Sequence, residues 1–95
     1  MDVKSQYTPV NITTGTNVIA TGNGVLHSLV FNKPVATGVV TIYNNTAASG
    51  TKIGTITVPA SPQPVTLIYD CAFGIGLTVV IATADQDITV NYAQG

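Results

Sequence analysis

Residues 51–71 decide the fold: they read TKIGTITVPASPQPVTLIYDC. Residues 51–58 and 65–71 are rich in Thr, Val and Ile, whose β-branched side chains pack well in strands. The second run also alternates apolar and polar residues, as a strand with one buried face does. Between them, residues 59–64 contain three prolines, which favour an extended polyproline conformation over a sheet ladder. The stretch therefore predicts two strands whose connection crosses from one sheet to another.

The composition of the whole chain agrees with this local pattern. Thr, Val and Ile make up 37 of the 95 residues, whereas Leu occurs four times, Met once, and Glu and Arg never. Good helix formers are therefore scarce. Nine Gly, five Pro and seven Asn supply turn residues. The chain is predicted to be all-β.

Alternation and turn residues divide the chain into about eight strands. The predicted strands are residues 3–12, 16–21, 25–31, 39–43, 51–58, 65–71, 75–82 and 87–92. Eight short strands at roughly ten-residue spacing predict an antiparallel β-sandwich of the jelly-roll or Greek-key type. The pattern leaves the order of the strands open.

Two features predict how these strands are arranged. Pro9 removes a backbone donor, so residues 1–14 are expected to form an N-terminal arm or edge strand, and residues 15–95 the β-sandwich domain. Gly22-Asn23-Gly24 predicts a tight hairpin turn before the third strand. That strand is expected to be central because both of its faces are partly apolar. One face would hold Val25, His27, Leu29 and Phe31.

Charged residues make up only 7% of the chain, against about 25% in an ordinary globular protein. Three scattered lysines cannot form the basic stripe that nucleic-acid binding requires. Disorder is equally disfavoured, because the chain is 45% apolar with a net charge of −1. No apolar run is long enough to cross a membrane as a helix, and the N-terminus lacks the apolar core of a signal peptide. We expect no nucleic-acid or membrane partner and synthesis in the cytoplasm.

Residues that could carry chemistry are few and isolated. The one histidine, His27, lies among apolar positions and is expected to be structural. Cys71 is in phase with apolar residues and is expected to act as a small hydrophobic side chain. Asp85 and Asp87, with Asp70 as a conceivable third ligand, have the spacing of a weak calcium site, but a turn explains them equally well. The expectation is a protein that is not an enzyme and has no cofactor or metal.

Four stretches of the chain resemble short β-sandwich proteins encoded among the virion genes of tailed bacteriophages. They are ATGNGVLHS (20–28), VTIYNNTAASGTKIGTI (40–56), IYDCAFGIGLTV (68–79) and DITVNY (87–92). The resemblance covers about residues 15–92. The chain departs from the pattern at Asn44, where Asp is favoured, and at Cys71, where Val is usual.

The resemblance implies a capsid decoration (cement) protein on the outer surface of the virion, made in the cytoplasm of the bacterial host. Its partner would be the major capsid protein, and the protein itself would be a homo-oligomer, with a trimer as the expected state. The expected interface residues lie in the arm and in a polar loop: Val3, Lys4, Gln6, Tyr7, Asn44, Asn45 and Thr46. Two alternatives remain open: another virion component in the tail or neck, and a host-adhesion or carbohydrate-binding module that uses the tyrosines and residues 44–50.

Overall fold

The computed structural model describes residues 7–95, which form eight β-strands and, over that range, no helix. The strands are β1 (Thr8–Ile12), β2 (Gly15–Thr21), β3 (Gly24–Phe31), β4 (Val39–Asn44), β5 (Thr51–Thr57), β6 (Val65–Phe73), β7 (Gly76–Ala82) and β8 (Ile88–Gln94). The predicted all-β class and the number of strands are confirmed. Among the described residues, no helix is long and apolar enough to span a membrane.

The strands form two antiparallel sheets of four. The first sheet has the order β1-β8-β3-β6, and the second sheet has the order β2-β7-β4-β5. The first strand thus pairs with the eighth, the second with the seventh, the third with the sixth and the fourth with the fifth. This nested pairing is that of a jelly roll. The predicted antiparallel sandwich is confirmed, and the jelly roll is the form it takes.

The core lies between the two sheets. The molecule measures 40 × 35 × 17 Å, and its short dimension suits two sheets packed about 10 Å apart. The largest fully buried side chains come from both sheets: Phe31, Phe73, Leu26, Leu29, Ile42, Leu77, Ile88, Val40, Val79 and Val90. Residues 58–64 connect β5 in the second sheet to β6 in the first, so the predicted crossover at the three prolines is confirmed.

The expected hairpin at Gly22-Asn23-Gly24 is wrong. β2 and β3 belong to different sheets, so this turn is a corner between the sheets. Gly22 does adopt a positive φ of 84°, and its N–H donates to the carbonyl of Ile75 at 2.9 Å. Turn residues indicate where the chain reverses direction, but distant pairing with β7 and β8 decides which strands become neighbours.

β1 is an edge strand of the first sheet and pairs only with β8. An edge position accommodates Pro9, since a proline lacks the N–H that a second neighbour would need. Ile12, at the end of β1, is buried in the core. β1, which lies within the segment 1–14, is therefore packed into the sandwich. Residues 1–6 lie outside the described range.

Candidate interaction surface

A register irregularity crosses three strands of the first sheet at the same level. On β3, Leu26 lies opposite Tyr92 of β8 and Cys71 of β6, whereas Ser28 lies opposite Asn91 and Ile68. β3 thus has one extra residue relative to β8, and β6 has one extra residue relative to β3. Such bulges bend a strand and redirect its side chains. Asp70, in the bulge of β6, has a φ of 46°, in the left-handed region that Asp tolerates better than most residues.

Because of the bulge, the side chains of β3 that face the core differ from those predicted by alternation. The strand is central, as expected, because it lies between β8 and β6. However, Leu26 and Leu29 are both fully buried, whereas Val25 is exposed and His27 is half-buried. The prediction that Val25 and His27 share a face with Leu29 is wrong. The extra residue in the bulge reverses which residues of β3 face the core on one side of it. A strict alternation of inward and outward residues does not contain this reversal.

His27 and Asp70 form a pair on the outer face of the first sheet. The His27 Nδ1 atom lies 2.5 Å from the Asp70 Oδ1 atom, and both side chains are partly open to solvent. The ring of Tyr7 stacks on the His27 ring, with the centroids 4.2 Å apart and the planes 7° from parallel. Because Tyr7 immediately precedes β1, this stack reaches from the edge strand across β8 to β3.

Exposed apolar side chains surround this pair. Ile68 of β6 is 58% exposed, Tyr7 41% and Val25 39%. Alanines flank Val25 on both neighbouring strands, at Ala72 of β6 and Ala93 of β8. We call Tyr7, Val25, His27, Ile68 and Asp70 the His27 surface. Two of its five members, Val25 and Ile68, are aliphatic; the others are a tyrosine, a histidine and the carboxylate of Asp70.

The polar loop expected to form part of an interface lies between β4 and β5 of the second sheet. The Asn44 Oδ1 atom accepts hydrogen bonds from the N–H groups of Gly74 (3.0 Å) and Ile75 (3.1 Å). The Asn45 Nδ2 atom donates to the carbonyl of Ser49 at 2.8 Å. These amides therefore hold the loop and the β6–β7 turn in place.

Of the remaining expected interface residues, Thr46 is exposed, and its backbone N–H donates to the side-chain oxygen of Asn45 at 2.8 Å. Tyr7 belongs to the His27 surface on the other sheet, so the structure does not join the arm and the loop in one cluster. Val3, Lys4 and Gln6 lie outside the described residues. Contact of these seven residues with a partner stays a prediction.

The tyrosines do not form a common platform. Tyr69 and Tyr92 pack against the core, while Tyr43 is paired with Thr78 and Lys52 on the second sheet. Partial burial raises the pKa of the Tyr69 hydroxyl, and the neighbouring Cys71 adds to this effect. A ring packed on the core is less available for stacking on a sugar.

Cys71 lies beside this tyrosine and is half-buried. Burial raises the pKa of its thiol, and the carboxylate of Asp70 raises it further. Since the thiolate is the reactive form, this environment makes Cys71 a poor nucleophile.

Asp87, which directly precedes β8, serves the fold. The Asp87 Oδ1 atom accepts hydrogen bonds from the side-chain amides of Asn11 (2.7 Å) and Asn32 (3.2 Å). It thereby links the start of β8 to β1 and to the residue after β3. Between residues 7 and 95, no three His, Cys, Asp or Glu side chains are grouped as metal ligands.

The described residues thus contain the His27 surface on one sheet face, and separate hydrogen bonds of polar side chains that hold loops in place. The sequence pattern pointed to Tyr7 but missed Val25, Ile68 and the His27–Asp70 pair, because the bulge that assembles them is not visible in the strand alternation. Comparison with known proteins gives no match: no family model matches the sequence, and neither a curated protein nor a solved structure matches the chain.

Proposed function

We propose that this protein is a structural component of a bacteriophage virion, a capsid decoration (cement) protein that binds the outer shell and stabilises the lattice of the major capsid protein. The observation that carries the proposal is the scarcity of charge on a flat sandwich: charged residues make up 7% of the chain, and the exposed side chains of Tyr7, Val25 and Ile68 accompany the His27–Asp70 pair on the His27 surface. Burying a charge without a partner costs several kcal/mol, so a face with few charges is suited to a large permanent contact. The resemblance of residues 15–92 to phage virion proteins supplies the identity of the partner.

The dimensions of the domain suit this role. Its broad side measures 40 by 35 Å, which leaves room for the roughly 800 Å² that each partner buries in a standard interface. A protein that binds only the assembled shell stabilises that shell by mass action. Jelly rolls occur in viral capsid proteins, although lectins and cupins also use them, so the fold is compatible with the role without specifying it.

A binding experiment with shells tests the proposal. Shells assembled from the major capsid protein encoded in the same genome are mixed with the purified protein and pelleted. We expect saturable attachment with a regular number of copies per shell, and a higher temperature for disruption of the shell. Because few ion pairs are available for screening, attachment should change little between low salt and about 0.5 M salt. Absence of attachment, or attachment without stabilisation, would contradict the proposal.

Two matched variants locate the attachment surface. Ile68→Lys places a charge on the His27 surface and should weaken attachment by about tenfold or more, because that charge must be desolvated. Val18→Lys places the same charge at a similarly exposed position on the second sheet and should attach like the unmodified protein. An equal loss for both variants would exclude the His27 surface as the attachment face.

The same preparations test the remaining expectations. Binding to purified tails or necks in place of shells would assign the protein to that part of the virion. We propose a homo-oligomer, with a trimer as the expected state, and sedimentation of the isolated protein as a monomer would contradict this. Deleting residues 2–6 leaves β1 intact and should weaken attachment if the arm contacts a neighbouring subunit.

A further inference from the structure

The two sheets leave four edge strands: β1 and β6 in the first sheet, β2 and β5 in the second. An edge strand exposes backbone N–H and C=O groups that can pair with another strand, and proline, lysine or a bulge commonly prevents such pairing. β1 contains Pro9, and β5 contains Lys52. β2 starts at Gly15, with a φ of 70°, and has a bulge after Val18. Three of the four edges are therefore protected.

Residues 65–68 of the fourth edge strand, β6, have none of these features. They pair with β3 in unbroken register, from Val65 opposite Phe31 to Ile68 opposite Ser28. Their side chains are those of Val, Thr, Leu and Ile, so the segment carries no charge. Val65 is 47% exposed and Ile68 is 58% exposed. This segment is suited to receive another strand.

The hydrogen bonds of β3 show which backbone groups of β6 are free. β3 lies between β8 and β6, so its successive residues bond alternately to the two neighbours. The N–H of Asn32 donates to the carbonyl of Asp87 at 2.8 Å, which continues the register of β3 with β8. Two residues earlier, Val30 therefore bonds to β8 as well. Leu29 and Phe31 bond to β6.

The residues of β6 opposite those two are Leu67 and Val65, which therefore direct their N–H and C=O groups to β3. Thr66 and Ile68 direct theirs to the other side, because alternate residues of a strand bond in opposite directions. Between residues 7 and 95, no strand of the sheet lies on that side. Thr66 and Ile68 thus offer two donors and two acceptors at the edge.

The limits of this segment are symmetric about Leu67. Pro64, three residues before it, has no N–H to donate, and Asp70, three residues after it, lies in the bulge of β6. If two copies of β6 pair antiparallel with Leu67 opposite Leu67, Thr66 lies opposite Ile68. Pro64 then lies opposite Asp70, so the two irregular residues meet outside the ladder. This symmetry favours a second copy of β6 over a strand of any other sequence.

We infer that β6 pairs with β6 of a second copy, antiparallel about a twofold axis at Leu67. The first sheets of the two copies then join into one sheet of eight strands. Thr66 of each copy exchanges two backbone hydrogen bonds with Ile68 of the other, which gives four bonds across the contact. The axis is perpendicular to the sheet, so the outer faces of both copies point in the same direction. The dimer therefore presents two His27 surfaces side by side.

The contact joins one strand to one strand, so its area is small and the dimer should dissociate on dilution. A twofold contact gives a dimer in place of the trimer that the resemblance implies, and the mass of the isolated protein decides between them. The inference does not rest on the proposed function, because it follows from the edge of the first sheet alone.

Sedimentation and amide hydrogen exchange of the isolated protein test the inference. We expect a monomer at low concentration that becomes a dimer as the concentration rises. Exchange at the N–H groups of Thr66 and Ile68 should slow in parallel, because these groups become paired. Thr55 of β5 is the control: the N–H of Val58 donates to the carbonyl of Gly38, so Thr55 points away from β4. Its exchange should not depend on concentration.

Two proline variants locate the contact. Thr66→Pro removes a donor that faces the open side of β6 and should raise the dissociation constant of the dimer by about tenfold or more. Thr55→Pro makes the same change at the open side of β5 and should leave the dimer intact. The comparison requires that both variants keep the unfolding temperature of the unmodified protein. If either variant does not, the exchange of Thr66 and Ile68 in the unmodified protein still decides.

Each outcome decides the inference. Slowed exchange at Thr66 and Ile68 with dimer formation, and loss of the dimer in Thr66→Pro only, support it. A monomer or a trimer at every concentration would overturn it, as would a dimer in which Thr66 exchanges as fast as in the monomer. An equal loss of the dimer in both proline variants would also overturn it. None of these measurements uses capsid shells, so failure here is distinguishable from failure of the proposed function.

Discussion

The side chain of Gln86 holds the backbone of Val35 through both of its polar atoms. Its Oε1 atom accepts a hydrogen bond from the Val35 N–H at 2.7 Å, and its Nε2 atom donates to the Val35 carbonyl at 2.8 Å. Gln86 is buried and lies in the connection before β8, while Val35 lies in the connection after β3. This amide therefore joins the β3–β4 connection to the β7–β8 connection at one end of the sandwich.

Replacing Gln86 by Ala should lower the free energy of unfolding by about 1–3 kcal/mol. The substitution leaves the backbone N–H and carbonyl of Val35 without their side-chain partner in a partly buried place. Urea denaturation measures the loss. Gln63→Ala, at an exposed position, is the control and should change stability by less than about 0.5 kcal/mol. Equal losses for the two variants would show that the Gln86 amide has no special role.

Gly24→Ala should destabilise the protein severely, by about 3 kcal/mol or more. An added Cβ at Gly24 would lie 2.6 Å from the ring of Phe73 and even closer to the carbonyl oxygen of Ala93. The backbone cannot move away easily, because β3 is paired on both sides. In Gly74→Ala the new methyl group would meet no atom within 4 Å, so this control should remain within about 0.5 kcal/mol of the unmodified protein. Denaturation of both variants under the same conditions compares them directly.

The stack of Tyr7 on His27 should contribute a coupling energy of about 0.5–1.5 kcal/mol. A double-mutant cycle with Tyr7→Ala and His27→Ala measures this energy separately from the individual losses. Tyr7→Ala combined with Thr55→Ala, on the second sheet, is the control pair and should be additive. If the effects of the Tyr7 and His27 substitutions are additive too, the stack adds nothing to stability.

Alkaline pH should destabilise the fold through Cys71 and Tyr69. The pKa of each group is raised in the folded protein, chiefly by burial, so the folded state holds these protons more tightly than the unfolded state. The stabilising contribution is complete below the pKa values of the unfolded chain, and it is lost as the pH rises through the folded values. Urea denaturation across neutral to alkaline pH follows this loss.

The reactivity of the Cys71 thiol checks the same environment independently. Alkylation by iodoacetamide should require a higher pH in the folded protein than in urea, since only the thiolate reacts. Asp70→Asn should move the reaction part of the way back, because the carboxylate is the smaller cause of the raised pKa and burial remains. Identical pH profiles of alkylation in folded and unfolded protein would contradict the raised pKa of Cys71 in the folded state.

Much of the fold could be predicted from local pattern, and the failures have specific causes. The alternation around Tyr69 correctly placed Leu67 and Cys71 toward the core, because a strand repeats every two residues. The same rule failed at His27, where a bulge adds one residue to the strand. The turn at Gly22 was recognised by its glycines, yet its strands belong to different sheets, since turn chemistry is local and sheet pairing is not.

Less of the candidate surfaces than of the fold could be predicted from the sequence. Tyr7 was expected at an interface, but Ile68 and His27 join it only because β1, β8, β3 and β6 lie side by side. An apolar pocket at one end of the sandwich likewise needs Phe31 and Pro62, which are distant in the chain, to meet.

The sequence by itself determined the all-β class, the approximate strand boundaries, the proline crossover and the scarcity of charge. These features follow from the alternation of β-branched residues, the prolines and the composition, which act through local backbone geometry and solvation. Only the tertiary structure decided the order of strands in the two sheets, the outward position of His27 and the existence of the pocket. These depend on pairing between distant segments, whose register is selected by burial of the whole core and by bulges that no local pattern encodes.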